Sequence, residues 1–332
     1  MSLGGLLRAV RDILVALAAS VLRRHPGVAA RLLEAVRLVP MSSVRVRLYR
    51  GFSWPLTGAL GTRVIVGVAG GRMECDTADA LGRVVAVSGT WEPNSTAVVR
   101  RLLSPGDVAV DVGAHAGYYT LLCADLVGPA GHVYAFEPSP TRYQELRANI
   151  ERSSVTNVTA LDLAAGARDG TAILHEAPRP NTSASTMAPA ALDFRAVATG
   201  DYEPVGVGVV TVDSRVPLDD LALVRLVKVD VEGYEVEALQ GAEGVFAAAS
   251  PLAVLVEVSP LWSSEGPSYV QRLCERHGFS AWLVANEYSV PGYFARRPRP
   301  PVAVSVIPSE RCDVLLCRGF TVADITGEGR TS

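Results

Sequence analysis

The sequence predicts an α/β protein with a mostly parallel seven-stranded sheet, helices on both faces, and an N-terminal extension of helices and short strands. Two observations carry this. Residues 107–138, DVAVDVGAHAGYYTLLCADLVGPAGHVYAFEP, read as strand, glycine turn, helix and a strand ending on an acid, the half-unit that binds a nucleotide in a doubly wound sheet. Beyond it, apolar strand-like runs alternate with helical periods as far as Cys317, which favours parallel strands covered on both sides. The expected division is an extension over residues 1–90, a cofactor-binding domain over 91–320 and a tail over 321–332.

Composition agrees with one sizeable core. Of 332 residues, 49% are hydrophobic and 20% charged, which argues against disorder. A net charge of −3 and a pI near 6.0 give no reason to expect a nucleic-acid partner. Five cysteines, Cys75, Cys123, Cys274, Cys312 and Cys317, form no metal-ligand spacing. An odd number without a framework suits a reducing cytoplasm.

In chain order, residues 1–40 carry Leu6, Leu7, Val10, Leu14 and Leu17 at helical spacing. The apolar run Ile13 to Leu22 is shorter than the roughly 20 residues a bilayer span needs. The expectation is a helical cap or a homodimer face, without stable membrane insertion. Arg23, Arg24 and Arg31 beside the apolar face would allow weak surface contact with a membrane. Val44 to Tyr49, Thr62 to Val68 and Arg83 to Val87 read as short strands, with Gly70-Gly71 as a hairpin turn. Trp91 to Leu103 returns to a helical pattern.

In the central half-unit, Val108 to Val112 is a buried strand bringing Asp111 to a small-residue turn. Gly113 and Gly117 there allow positive φ and close approach of a ligand to the main chain. A helix starting near Ala116 points free N–H groups into the crevice. Glu137, at the end of His132 to Phe136, can accept from two ribose hydroxyls. The glycines read G-x-x-x-G, so the glycine that admits a pyrophosphate in G-x-G-x-x-G is absent. A ribose-bearing ligand without a phosphate fits better, and that ligand is S-adenosyl-L-methionine.

DVGAHAGYYT, then VYAFEP, VKVDVEGYE at 227–235 and VLVEV at 254–258, preceded by WEP at 91–93 and PGD at 105–107, together resemble the FkbM family of S-adenosylmethionine-dependent methyltransferases. The resemblance spans Arg83 to Val258 and implies a class I methyltransferase, or Rossmann-like, fold. It implies O-methylation of a hydroxyl on a small molecule, a sugar or a polyketide-derived natural product. It also implies cofactor contacts from Glu92, Asp111, Gly113, His115, Gly117, Glu137, Pro138 and Asp230. The strand Val158 to Leu163 ends near Asp162 and Ala164, where this class holds the adenine. His115 departs from the family, which more often has asparagine there.

Thr141 to Ile150 follows as a helix, with Ser139 as N-cap and Pro140 at its first position. Val224 to Val229, Leu252 to Val258, Ala281 to Ala285 and Val314 to Cys317 supply later strands, with Tyr269 to Arg276 a helix between them. Residues 177–205 break the rhythm, and Asn181 to Met187 is the candidate acceptor-binding lid. Residues 290–311 form a second irregular segment, and the last dozen residues a frayed tail.

Asp111, Glu137, Asp162, Asp230 and Glu257 all fall at strand carboxyl ends and should converge on one crevice. Alternation puts Lys228, the only lysine in the chain, on one face with Asp230 and Glu232. A hydroxyl is a poor nucleophile near neutral pH, so methyl transfer to it calls for a base, a metal or both. Asp230 is the first candidate for base, then Glu232 and Glu257; Glu232 could instead cap the helix after Gly233. The same three carboxylates could hold a Mg²⁺ ion, and His115 is a rival base. A nicotinamide-dependent oxidoreductase, disfavoured by the missing glycine, and a non-catalytic cofactor-binding protein are the alternatives.

Overall fold

The computed structural model describes residues 3–39, 42–178, 182–188, 202–259, 265–288, 293 and 298–328. The chain opens with α1 (Leu3–Leu22) and α2 (Pro26–Arg37). α1 buries Val15, Ala19 and Leu22, and α2 buries Ala29, Ala30, Leu33 and Val36, spacings that set one face of each helix on the core. Next come α3 (Ser42–Leu48), a π-helical turn (Tyr49–Ser53) and α4 (Trp54–Leu60). The strand expected over Val44 to Tyr49 is therefore helical: the alternating V-R-V-R imitated a strand, but Val44 and Val46 are half-buried in a helical run that continues through α4.

The β part of the extension is one hairpin, β1 (Arg63–Val68) and β2 (Gly71–Asp76). A Cβ at Gly70 in its turn would lie 2.0 Å from the Leu121 carbonyl oxygen, so the hairpin can pack there only with glycine. Arg83 to Val87, also expected as a strand, belongs to the helix α5 (Ala80–Ser88). Asp79 accepts from the N–H groups of Leu81 and Gly82 at 3.1 and 3.3 Å. That cap sets a helix start, while Val84 to Val87 are all buried and so show no amphipathic period. Arg37 closes the unit by donating to the carbonyls of Val85, Ala86 and Val87 in the last turn of α5.

α6 (Pro93–Leu102) delivers the chain to the sheet domain. There β3 (Val108–Val112), α7 (Tyr118–Val127), β4 (His132–Phe136), α8 (Pro140–Arg152) and β5 (Val158–Leu161) alternate as expected. Then follow β6 (Leu163–Ala165), β7 (Gly170–Glu176), β8 (Glu203–Val210), β9 (Val224–Val229), β10 (Leu252–Val258), β11 (Ser280–Val284), β12 (Val302–Val304) and β13 (Cys312–Arg318). The central sheet has the order β12-β11-β13-β10-β9-β3-β4-β5. It comprises seven strands plus the three-residue edge strand β12. β10, β9, β3, β4 and β5 are parallel; β13 runs antiparallel to β10, and β11, antiparallel to β13, points the same way as the parallel set. β6, β8 and β7 make a separate three-stranded sheet.

One apolar core joins Leu33, Leu56 and Met73 of the extension to Leu121 of α7 and to Ala109, Leu226 and Leu315 on one face of the central sheet. The opposite face packs against helices that include Gly266–His277, through Val270 and Leu273. The tail is not frayed over Val322–Thr326, which is helical: Thr321 and Asp324 cap each other and Ile325 is buried. Arg101 of α6 donates to the Ile325 carbonyl.

Candidate active site

β3, β4 and β5 run outward on one side of the sheet, and the chain then returns to place β9 on the other side of β3. Ligands of open α/β sheets bind at the carboxyl ends of the strands at such a switch. A cavity of about 550 Å³ lies there, a size suited to a small-molecule ligand. Glu92, Gly113, His115, Glu137, Pro138, Ala164, Asp230, Glu232 and Glu257 all line it.

Asp111, Gly117 and Asp162 do not. Asp111 is buried beneath the turn, where it accepts from the Thr120 hydroxyl at 2.6 Å and lies 3.9 Å from Lys228 Nζ. Its carboxylate thus braces α7 against β3. A Cβ at Gly117 would lie 2.7 Å from Leu146 of α8, so that glycine serves helix packing. Asp162 is exposed, because β5 ends at Leu161 and the break before β6 turns the side chain outward. Ala164 reaches the cavity in its place.

Glu137 is 6% exposed. One carboxylate oxygen accepts from the His115 N–H at 2.7 Å and the other from the Ser139 N–H at 2.9 Å. Each oxygen keeps a lone pair for a further donor. Burial pushes its pKa up to about 7, against the pull of the two backbone N–H groups and Arg142.

His115 adopts φ +50. Its Nε2 lies 3.3 Å from the Thr182 hydroxyl, which itself donates to Asp79 Oδ1 at 2.5 Å. A hydroxyl has one hydrogen, so Nε2 must donate to Thr182. Burial lowers the imidazole to about 4. In that neutral tautomer Nδ1 is an acceptor, buried and without a partner among the described residues. His115 is therefore a poor general base and a good receiver for a donor on a bound ligand. These groups fit S-adenosylmethionine: Glu137 for ribose hydroxyls, His115 Nδ1 for an N–H donor, and Phe136, Leu81 and Met187 for apolar surface.

At the β9 end of the cavity, the Lys228 ammonium is 3.2 Å from Asp230 and 4.9 Å from the centroid of the Tyr119 ring. Burial alone would lower its pKa; the attraction of Asp230, Asp111 and Glu92 overcomes this and raises it. Glu92 accepts from the Tyr119 and Tyr288 hydroxyls at 2.8 and 2.7 Å, and burial followed by Asp230 raises its pKa. Oxygens of Asp230, Glu232 and Glu257 lie within 4.8 Å of one another. Burial, then Asp230 and Glu232, push Glu257 above the usual carboxylate range, opposed by the Arg311 guanidinium bonded to it. Glu232 does not cap the helix after Gly233: the N-cap position of Glu235–Gln240 is Tyr234, with no side-chain bond, and Glu235 accepts from the Gly233 N–H at 2.9 Å.

Sequence reasoning missed Arg311 and Tyr288, both cavity residues. β13 runs antiparallel to β10, pairing Asp313 with Glu257, so its beginning shares an edge with the ends of the parallel strands. That antiparallel edge was the available signal. Of the segment Asn181 to Met187, read as the candidate lid, Thr182–Met187 is described, and Thr182 to Ser185 line the cavity. It is pinned: Asp79 receives the Thr182 N–H, and the Thr186 hydroxyl donates to the Glu232 carbonyl at 2.6 Å. Asn181, residues 189–201 and most of residues 289–297 lie outside the described residues.

A switch-point cavity with an acid closing β4, and no pyrophosphate glycine in its turn, defines a class I methyltransferase. The profile of the methyltransferase FkbM domain matches residues 111–281, and the chain belongs to that family of S-adenosylmethionine-dependent methyltransferases. Hexuronic acid methyltransferase AglP of Haloferax volcanii is 26% identical over 190 residues, 56% of this chain and 70% of that protein. The 31-O-demethyl-FK506 methyltransferase FkbM of Streptomyces tacrolimicus is 31% identical over 160 residues, 42% of this chain and 61% of that one. A protein-L-isoaspartate O-methyltransferase of Methanothrix thermoacetophila is 35% identical over 88 residues, 26% of this chain. The chain spans 40% of that relative's length. Among solved structures, methyltransferase FkbM from Methylobacillus flagellatus KT aligns over 87% of this chain and 58% of its own, at 15% identity and a TM-score of 0.41. Among the described residues no helix is long and apolar enough to cross a membrane.

Proposed function

We propose that the protein O-methylates a hydroxyl of a small molecule, a sugar or a polyketide-derived product. The observation that supports this most is that one cavity holds both the Glu137 carboxylate and the cluster of Asp230, Glu232 and Glu257. The relatives named for a hexuronic acid and for demethyl-FK506 support the acceptor class. S-adenosylmethionine supplies the methyl group as a sulfonium when bound. The chain's own tasks are to align the acceptor and to take its proton.

Asp230 takes that proton. Its side chain is 32% exposed, whereas Glu257 is committed to Arg311 and is better placed to orient the acceptor. A second reading rests on the 4.8 Å grouping of the three carboxylates: a Mg²⁺ held there would acidify the hydroxyl. The test is transfer of labelled methyl from S-adenosylmethionine to a panel of hydroxylated acceptors. No product with any of them would count heavily against the proposal.

A further inference from the structure

We infer that α1 and α2 dock the protein on an anionic lipid surface. Val10, Ile13, Leu14, Leu17 and Val21 of α1 recur every three or four residues, and the last four are each 60–62% exposed. This stripe lies about 150° around the helix from the face that buries Val15, Ala19 and Leu22. α2 adds Val28 and Leu32, 50% and 43% exposed. A soluble surface tolerates scattered apolar residues, but a continuous apolar stripe calls for an occupant.

Charge selects the occupant. Residues 1–60 hold nine arginines against Asp12 and Glu34, a net of +7 in a chain of −3, so the remainder carries −10. Both acids are engaged, Asp12 with Arg11 at 2.7 Å and Glu34 with the Gly67 N–H at 2.7 Å. Arg24, Arg31, Arg47 and Arg50 are exposed. A second copy meeting this face would bring two +7 surfaces together, an electrostatic cost that a homodimer would have to overcome. An apolar stripe bordered by arginines fits the boundary between lipid headgroups and acyl chains. The rest of the molecule, at −10, would be repelled by the same surface, which orients the protein with α1 and α2 toward it.

The test is flotation of the full chain with vesicles of phosphatidylcholine alone and of equal parts phosphatidylcholine and phosphatidylglycerol. Binding to the anionic vesicles should be at least about tenfold tighter and should weaken with salt. Arg24→Ala with Arg31→Ala should cost about fivefold per arginine, and Leu14→Ser with Leu17→Ser about tenfold per leucine. Both double variants should keep wild-type thermal stability and wild-type methyl transfer to a soluble acceptor. Equal binding to the two vesicle types, no binding, or flotation unaffected by either double variant would overturn the inference. So would a lipid-free dimer in sedimentation velocity that Leu14→Ser with Leu17→Ser splits, which would assign the face to a second copy.

Discussion

Gly113 and the carbonyl of Asp230 compete for the same space: a Cβ at Gly113 would lie 1.9 Å from that oxygen. Gly113 also holds φ +80, where an L side chain costs about 1–3 kcal/mol. The turn after β3 and the loop after β9 are thus pressed together, and the position of Asp230 depends on a missing side chain across the switch point. Gly113→Ala should lower the thermal midpoint by several degrees and cut methyl transfer by more than about tenfold through displacement of Asp230. A variant with unchanged midpoint and rate would show that the two loops can separate freely.

Glu137 should make cofactor binding depend on pH. Its carboxyl titrates near 7, and only the ionised form offers acceptors on both oxygens to ribose hydroxyls. Affinity for S-adenosylhomocysteine should therefore fall as the pH drops from about 8 to about 6, and Glu137→Gln should bind more weakly with a flatter profile. The effect on folding has the opposite sign. A carboxyl raised from 4.5 to about 7 by folding takes stability away as pH rises through that window. Ligand-free wild type should accordingly lose stability as the pH rises from about 4.5 to about 7. Glu137→Gln, whose amide can accept only one of the His115 and Ser139 N–H groups, should melt lower but lose that pH dependence, with titration calorimetry and thermal melts as the checks.

The elements that could be read from sequence are those whose local signal and tertiary role agree. The β3 turn, Glu137 and the Gly70-Gly71 hairpin have chemistry that admits one conformation. α5 was hidden because Val84 to Val87 are buried on every side, which removes the period that marks a helix. Arg311 was hidden because its place at the cavity depends on β13 running antiparallel to β10, a pairing between distant segments. His115 could be seen in the turn, but the burial that sets it near 4 is a property of the folded cavity.

Asp79 links two functions that lie far apart in sequence. It caps α5 and also receives both the N–H and the hydroxyl of Thr182, a separation of 103 residues. Asp79→Ala should cost about 1 kcal/mol from the cap alone, and it frees Thr182 at the cavity wall. Raised KM for the acceptor with kcat changed less is the expected split in steady-state kinetics. A fall in kcat with KM unchanged would place Thr182–Ser185 in transition-state binding instead.

Asp230 separates a catalyst from a binding protein, and a proton acceptor from a metal ligand. Asp230→Asn keeps the size and the hydrogen-bonding capacity of the side chain but cannot take a proton. S-adenosylhomocysteine should bind within a few-fold of wild type, while kcat falls by about 10²–10⁴. The residual rate should rise with pH, because hydroxide then performs the deprotonation. If Asp230 acts alone, a chelator leaves the wild-type rate unchanged. Loss of the rate on chelation with recovery on adding Mg²⁺ would move the chemistry to an ion held by Asp230, Glu232 and Glu257. In that case Glu257→Gln, which leaves the Arg311 contact possible but removes a charged ligand, should weaken the Mg²⁺ requirement's half-point by about tenfold or more.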